Sequence, residues 1–381
     1  MNDNLKTMAE NVKNNILKLF EELMQEERKE YMDKKPGSKG NGYYERDLIT
    51  TFGNLENLKV PRVRDSKFQP EILPYRKKVS YELEDVIFAM FSSGSSTRDV
   101  ARFIENLYGA KYSASAVSRL TNIAQKNINE FKKRPLEEEY SVVYFDATFI
   151  SLRREYVAKE PVYIFIGVRN SGEREVLGYY MFGSEGESAS SWLIALRDLK
   201  KRGVKRVGLF VTDDLSGIRT SIMKVFPSSN HQLCVLHAMR ETNSLVRAKH
   251  KAEVSSDLKE IYTADSVSDA KIKLTEFEKI WNNVYPKVVM KWKRNFYGYT
   301  TFMHYDKKVR RFIYTTNLIE RLNKEIKRRT KVIEVFSTEA SLEKILYIVL
   351  KERNSYFLNR KMANFSSVDF FKKTVQKKAY A

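Results

Sequence analysis

Three acidic residues that lie far apart in the sequence have surroundings in which a carboxylate can do chemistry. Asp146 lies inside the β-branched and aromatic run YSVVYFDATFISLRR, so alternation places its side chain on one sheet face among bulky apolar neighbours. Asp213 ends a later apolar run, and Glu320 lies near the start of the basic stretch TTNLIERLNKEIKRRTK. A buried carboxylate without a partner is costly, so Asp146 in particular needs a metal ion or a strong partner.

Carboxylate oxygens are suitable ligands for Mg²⁺ or Mn²⁺, ions that keep their remaining coordination positions for water and phosphate oxygens. Two such ions about 3.5–4 Å apart would stabilise the attacking and the leaving oxygen of an in-line phosphoryl transfer. The sequence therefore predicts a site with two ions, in which Asp146, Asp213 and Glu320 are both the catalytic residues and the metal ligands.

Glu320 also has a purely structural interpretation. Asn317 is suited to cap a helix in which Glu320 would complete a capping box. Glu320 and Lys324 are spaced for an ion pair along the same helix, worth a few tenths of a kcal/mol. Both roles would leave Glu320 outside any metal site.

The two aspartates have structural alternatives as well. Asp213 is suited to cap the helix that follows it, which is a common role for this residue type. Asp146 is suited to an ion pair with Arg153 or Arg154. Taken singly, each alternative is at least as good as a role in metal binding.

The stretch that begins with Glu320 is predicted to be an amphipathic helix with a strongly basic face. Leu318, Ile319, Leu322 and Ile326 fall within one apolar sector. Between residues 305 and 335 the sequence has ten Lys and Arg against four Asp and Glu, so this helix is predicted to bind the DNA backbone. The predicted phosphate-binding residues are Lys324, Lys327, Arg328 and Lys331.

The overall charge points to the same kind of partner. The chain has 381 residues, with 68 Lys and Arg against 48 Asp and Glu, and a formal charge of +20. Such an excess predicts a polyanionic partner, either nucleic acid or an anionic membrane surface. The membrane is disfavoured, because the sequence has no apolar run of about 18 residues and no secretory signal. The single cysteine, Cys234, excludes an internal disulfide and fits a reducing cytoplasm.

The elements that would position Asp146 and Asp213 form an alternating pattern over residues 139–236. Three β-prone runs joined by tight turns are followed by helix, strand, helix and a fifth strand, HQLCVLH. This order predicts an α/β fold with a mixed sheet, as in the catalytic core of a ribonuclease-H-like domain. The segment 139–236 is therefore predicted to be the first part of a ribonuclease-H-like catalytic domain.

The remaining C-terminal segments are predicted to be helical. Residues 237–306 are charged and show no strand pattern, which predicts an all-α insertion that interrupts the core. Trp281 and Trp292 in this insertion have the rings to stack on a base, although packing in a core is the more common role of tryptophan. Residues 307–335 supply the catalytic helix that completes the core, and residues 336–381 form a C-terminal helical region.

The N-terminal segments are predicted to bind DNA. Residues 1–78 contain a charged amphipathic helix, a linker at 33–42 and a basic hairpin around a Gly-Asn turn. Residues 79–138 contain three helices, and the second and third resemble a helix-turn-helix. The predicted recognition residues are Ser115, Ser118 and Arg119 at the start of the third helix, and their structural alternative is a solvated helix face.

Several runs in order resemble the Mutator-type insertion-sequence transposases of bacteria over about residues 40 to 335. The runs are GNLENLKVPRVRDSKFQPEIL, STRDVARFIENLYGAKYSASAVSRLTN, YFDATFISLRRE, GVRNSGEREVLGYY, SSWLIALRDLKKRGVKRVGLFVTDDLSGI, FPSSNHQLCVLH and YTTNLIERLNKEIKRRTK. The resemblance implies a ribonuclease-H-like core with an Asp-Asp-Glu metal triad and a mostly helical insertion before the Glu. Asp146, Asp213 and Glu320 match the three acids, and Asp214 stands where the family usually has Gly.

A C-x-x-H pair follows the fifth predicted strand. Cys234 and His237 match this feature of the family, and Arg240-Glu241 stands where Arg-Asn is usual. The pair is half of a zinc site at most, and a lone histidine is more often a satisfied structural group. The alternative is that the pair supports the site, with His237 orienting water or contacting a phosphate.

The expected function is that of a DNA transposase. It would bind the terminal inverted repeats of an insertion sequence, cut the ends with water to free a 3′-OH, and join that hydroxyl to a second strand without a covalent protein–DNA intermediate. Its expected partners are double-stranded DNA, as transposon ends and target, and a second copy of the chain, in the bacterial cytoplasm at the nucleoid. A ribonuclease-H-like nuclease or resolvase without strand transfer, or a DNA-binding regulator with an inactive core, are the alternatives.

Overall fold

The computed structural model describes residues 3–64, 67–74, 78–92, 95, 97–108, 127–183 and 188–372 of the chain. The chain divides into two compact units, Met1–Lys126 and Asn127–Ala381. This division lies within the segment 79–138 that was predicted to be one helical domain. None of the described helices is long and apolar enough to span a membrane.

The first unit contains a long helix, a hairpin and two shorter helices. Met24 of the long helix is fully buried in a cluster with apolar residues of the hairpin, such as Leu48 and Leu58. Ile49 of the hairpin instead packs with residues of the two shorter helices. The elements are α1 (Asp3–Asp33), β1 (Gly40–Thr50), β2 (Gly53–Val63), α2 (Tyr81–Ser92) and α3 (Thr97–Tyr108).

The predicted hairpin is present, but the position of its turn was wrong. Thr50 pairs with Gly53, so the two turn residues are Thr51 and Phe52 and not the Gly-Asn dipeptide. The Thr50 hydroxyl accepts a bond from the Phe52 N–H and donates to the Gly53 carbonyl, which stabilises the earlier turn. The first strand begins at Gly40, inside the predicted linker.

The first two predicted helices of the segment 79–138 are confirmed as α2 and α3. The start of the third predicted helix lies outside the described residues, although residues 127–133 are helical. Ser115, Ser118 and Arg119 also lie outside the described part of the chain.

The second unit is built around a five-stranded mixed sheet with the strand order β5-β4-β3-β6-β7. β3 pairs antiparallel with β4 and parallel with β6, β4 pairs antiparallel with β5, and β6 pairs parallel with β7. The predicted order of strands and helices is confirmed. The strands are β3 (Glu139–Arg153), β4 (Val157–Val168), β5 (Arg174–Tyr180), β6 (Arg206–Thr212) and β7 (Asn230–Leu233).

One face of this sheet packs against two helices, α4 (Ala189–Lys201) and α5 (Ile218–Val225). Val143 and Phe145 of β3 belong to the resulting core, together with Trp192 of α4. Because side chains alternate along a strand, Tyr144 and Asp146 lie on the opposite face.

The fifth strand is shorter than predicted. β7 ends at Leu233, and Cys234 is the N-cap residue of the next helix. Cys234 and His237 therefore lie outside the sheet. The Cys234 N–H still donates to the Thr212 carbonyl, whereas the Val235 N–H donates to Tyr314 outside the sheet. The chain turns away at that point.

The region between β7 and residue 306 is helical and contains no strand, as predicted. Trp281 and Trp292 are buried there, and their ring N–H groups donate to Asp257 and Thr242. Packing, and not stacking on a base, is therefore their role in this structure. The helices are α6 (Val235–Leu245), α7 (Lys251–Thr263), α8 (Val267–Trp281), α9 (Pro286–Arg294) and α10 (Phe296–Thr300).

Three later helices pack near the sheet. α11 (Lys307–Ile313) lies near Tyr144, whose hydroxyl donates to the Phe312 carbonyl at 2.7 Å. α12 (Asn317–Thr330) packs against β3, and α13 (Glu339–Leu358) packs against β5. The helix that carries Glu320 is thereby held against the strand that carries Asp146.

Candidate active site

The sheet register brings the two aspartates together. Tyr144 of β3 pairs with Val211 of β6 in a parallel ladder. Asp146 and Asp213 each lie two residues further along, on the same face as those partners. Both carboxylates therefore lie just beyond the last pair of the parallel ladder, Asp146 within β3 and Asp213 directly after the end of β6.

Asp146 is held rigidly by neutral donors. It is only 7% exposed, its Oδ1 accepts the Ala147 N–H at 2.8 Å, and its Oδ2 accepts Asn323 Nδ2 at 2.8 Å. Burial, and then the charge of Asp213, raise the pKa of Asp146 to about 7. The ion pair considered from sequence is absent among the described residues, because Arg154 pairs with Glu160 and Glu339 instead.

Asp213 does not cap a helix. The N-cap residue of α5 is Gly217, and the Asp213 carboxylate lies against His237, with 2.6 Å between Oδ1 and Nδ1. Its neighbour Asp214 contacts other residues, since it accepts a bond from Asn295 Nδ2 at 2.7 Å. Asp213, and not Asp214, therefore faces Asp146.

Glu320 lies in the first turn of α12, but the capping box considered from sequence was wrong. The N-cap residue is Thr316, whose side chain makes no capping bond. Glu320 instead accepts two bonds from Arg240, at 2.7 Å to Oε1 and 3.1 Å to Oε2. Burial alone would raise the pKa of Glu320, but the bonds from Arg240 keep it below the ordinary value.

His237 lies between two of the acids. Its Nε2 is 3.7 Å from Glu320 Oε1, and its Nδ1 is 3.3 Å from Cys234 Sγ. Burial would lower the pKa of His237, but contacts with Asp213 and Cys234 raise it to about 10, so the ring is cationic at neutral pH. Cys234 is buried and accepts the Thr316 hydroxyl at 3.2 Å.

The donor atoms at this site fit a divalent cation. Asp213 Oδ1 is buried, and within the described part of the chain its close polar neighbour is His237 Nδ1, at 2.6 Å. The charges of Asp213 and Glu320 raise the pKa of Asp146, so an added cation would relieve repulsion among the three acids. Oxygen donors suit Mg²⁺ or Mn²⁺. Among the described residues, the donor atoms that lie within 4.8 Å of one another belong to Asp213, Cys234 and His237, a softer set that includes one of the three acids.

The predicted basic residues extend from the site along an exposed face. Lys324, Lys327 and Arg328 are exposed on α12, and Lys331 is exposed just beyond its end. By contrast, Arg329 points away and pairs with carboxylates of α12 and α13. The four exposed cations have no carboxylate partner within the described part of the chain.

The sequence analysis did not predict two contacts of the site. Arg240 donates to Glu320, and Asn323 donates to Asp146. Arg240 follows His237 by three residues, which places both on one face of α6. Asn323 follows Glu320 by the same spacing and is a buried polar residue in the apolar sector of α12. A polar residue at a core position was the signal that could have identified Asn323.

Comparison with known proteins identifies the family. The family model for transposases of the Mutator family matches residues 1–359. The chain is 34% identical over 318 residues to the transposase for insertion sequence element IS905 of Lactococcus lactis subsp. lactis, which covers 84% of this chain and 80% of that protein. It is 31% identical over 377 residues to the transposase for insertion sequence element IS256 in transposon Tn4001 of Staphylococcus aureus, covering 94% and 95%.

Proposed function

Because the chain belongs to the Mutator family of transposases, we propose that it cuts and joins DNA with a metal site formed by Asp146, Asp213 and Glu320. The observation that supports this most strongly is the set of contacts that links three carboxylates from β3, the end of β6 and α12. Asp213 and Glu320 both lie against His237, although 107 positions separate them in sequence, and the charges of both add to burial in raising the pKa of Asp146.

The fold supports the same proposal. The sheet order β5-β4-β3-β6-β7, with the first acid on the central strand and the second on its parallel neighbour, is the arrangement expected of a ribonuclease-H-like core. The helical stretch from α6 to α10 lies in sequence between the second acid and the third, where the all-α insertion is expected.

Each residue of the site has a defined task in the proposed reaction. Asn323 and the Ala147 N–H fix the orientation of Asp146, and cationic His237 orients Asp213. Two Mg²⁺ or Mn²⁺ ions held by the three acids would activate the attacking oxygen and stabilise charge on the leaving oxygen. Water first attacks the phosphorus at the transposon end, and the freed 3′-OH then attacks a second strand. No protein nucleophile is required.

The basic face of α12 is proposed to bind the DNA backbone next to the site. Changing Lys324, Lys327 and Lys331 together to Gln should lower affinity for any duplex. The slope of log K against log salt should flatten by up to about three units, at roughly 0.9 per lost phosphate contact. Filter binding over a range of salt concentrations measures both quantities.

A matched triple variant controls for the loss of net charge. Lys271, Lys279 and Lys287 are exposed on α8 and α9, and their combined change to Gln removes the same three charges. This control should leave the slope nearly unchanged. Equal slopes for the two triple variants would refute the proposed contact.

Recognition of the terminal inverted repeat is assigned to the N-terminal unit. Arg119→Ala, or Ser115→Ala with Ser118→Ala, should weaken binding to the terminal repeat more than binding to random duplex. The reason is that base contacts carry sequence information, whereas phosphate contacts do not. Equal losses on both DNAs would show that these residues do not read sequence.

Joining of a DNA end to a target distinguishes a transposase from a nuclease or resolvase without strand transfer. A labelled duplex with a recessed terminal-repeat 3′-OH is incubated with a supercoiled plasmid and Mg²⁺, and the transfer of label to the plasmid is measured. A transposase gives labelled plasmid, whereas a nuclease or resolvase without strand transfer only nicks it. Pairing of two transposon ends implies at least a dimer, so label should appear in products that carry two joined ends.

A further inference from the structure

Arg240 reaches into the site from solvent and occupies both oxygens of Glu320. Its side chain is 57% exposed, whereas that of Glu320 is only 12% exposed. The two bonds, at 2.7 and 3.1 Å, are the paired geometry in which guanidinium binds a carboxylate best. Arg240 therefore binds both oxygens of a carboxylate that is proposed to hold metal.

Arg240 and a metal ion compete for Glu320 for two physical reasons. A cation held by Glu320 would need one of the two carboxylate oxygens, and both now accept bonds from Arg240. A divalent charge at that position also repels the guanidinium at short range. Each of the two cations therefore weakens the binding of the other to Glu320.

The displaced guanidinium has a new partner available in the substrate. Arg240 extends from α6, and the exposed cations of α12 begin at Lys324, one turn after Glu320. A phosphate on that basic face offers oxygens with the same paired geometry as a carboxylate.

We propose that Arg240 exchanges partners during the reaction: it pairs with Glu320 in the metal-free protein and with a DNA phosphate once metal is bound. This inference rests on the proposed function, because it takes Glu320 to be a metal ligand. The metal ion takes Glu320 and the DNA phosphate takes Arg240, so each of the two ligands favours breaking of the same ion pair. Arg240 thereby couples the binding of metal to the binding of DNA. Metal and DNA should therefore bind cooperatively.

Metal binding without DNA gives the first test, in the full-length protein. Mn²⁺ is titrated, and free ion is measured by electron paramagnetic resonance. Arg240→Gln should bind Mn²⁺ at least about threefold more tightly than wild type, the scale of a half-exposed ion pair. A residue with a merely structural role would not give tighter binding when removed.

Lys324→Gln is the matched control for that titration. It removes one positive charge near Glu320 without removing a contact, because Lys324 acts on Glu320 only through its charge. Its affinity for Mn²⁺ should change less than about twofold. If Arg240→Gln binds Mn²⁺ no more tightly than Lys324→Gln does, the exchange is refuted.

DNA affinity gives the second test. In Ca²⁺, Arg240→Gln should lose several-fold in affinity for a terminal-repeat duplex, whereas in EDTA it should bind like wild type. An equal loss in both conditions would overturn the proposal, because Arg240 would then contact DNA without leaving Glu320. A separate result tests the underlying function: if Glu320→Gln binds Mn²⁺ as wild type does, Glu320 is not a ligand.

Discussion

Asp146→Asn is expected to reduce the rates of both end cleavage and joining by at least about a thousandfold. This is the loss of rate that is typical when one residue is removed from a group that acts as a unit. Asp213→Asn and Glu320→Gln should have similar effects, because each removes a charged ligand from one shared site. Combining them should add little further loss. Cleavage and joining of labelled terminal-repeat DNA are measured together with DNA binding, which should survive in all three variants.

The structure indicates why Asp146→Asn should still fold. Asn323 Oδ1 is buried and has no hydrogen-bond donor among the residues that the structure describes. Rotation of the Asn323 amide would present this oxygen to the introduced amide, and the Ala147 N–H keeps its acceptor. The change also removes one charge from three neighbouring acids. A loss of activity caused by unfolding is therefore not expected, and circular dichroism checks this.

Asp214→Asn is the matched control for Asp213→Asn. Asp214 accepts a bond from Asn295 and lies 3.7 Å from Arg294, away from Asp146. It should keep cleavage and joining within a few-fold of wild type. An inactive Asp214→Asn together with an active Asp213→Asn would move the second ligand by one residue.

Trp192→Ala is expected to lower the free energy of unfolding of the second unit by about 3–5 kcal/mol, as for other fully buried aromatic residues. The ring is fully buried, with its centroid 4.6 Å from that of Tyr163 and 5.1 Å from that of Phe145. Its N–H donates to the Ser216 carbonyl at 2.9 Å, so the variant leaves both a cavity and an unpaired acceptor near Asp213.

Urea unfolding followed by circular dichroism measures this loss. Ile194→Ala on the same helix is the control, because Ile194 is 53% exposed and its truncation should cost at most about 0.5 kcal/mol. A loss below about 1 kcal/mol for Trp192→Ala would contradict the packing described for this core.

The sheet was predictable from sequence because its strands have local signatures. The apolar run around Asp146 and the Ser-Gly turn between β4 and β5 specify strands and a tight connection without tertiary information. The strand predicted at HQLCVLH is present as β7, but its end was placed too late, because a short buried strand and the buried start of a helix have the same apolar pattern. The strand ends at Leu233, and the Val235 N–H donates to the Tyr314 carbonyl outside the sheet.

The contacts within the site were much less predictable. No local pattern indicates that Arg240 pairs with Glu320, since the two are 80 positions apart and meet through packing. Asn317 and Glu320 match the pattern of a capping box. In the structure, however, Glu320 accepts bonds from Arg240, and the N-cap residue is Thr316. Local propensity is overridden here because a stronger charged partner is available.

The central claim is that Asp146 binds the metal ion directly. The most direct test is to replace its carboxylate by a sulfur ligand and to measure which metal ion then supports joining. Asp146→Cys replaces a carboxylate by a thiolate, which binds Mn²⁺ better than Mg²⁺ because Mn²⁺ is the softer of the two ions. We predict that this variant joins no labelled terminal-repeat DNA to plasmid in Mg²⁺ and regains joining in Mn²⁺, while wild type works with both ions. A folded, DNA-binding Asp146→Cys that joins equally well in Mg²⁺ and Mn²⁺, or stays inactive in both, would contradict coordination by Asp146.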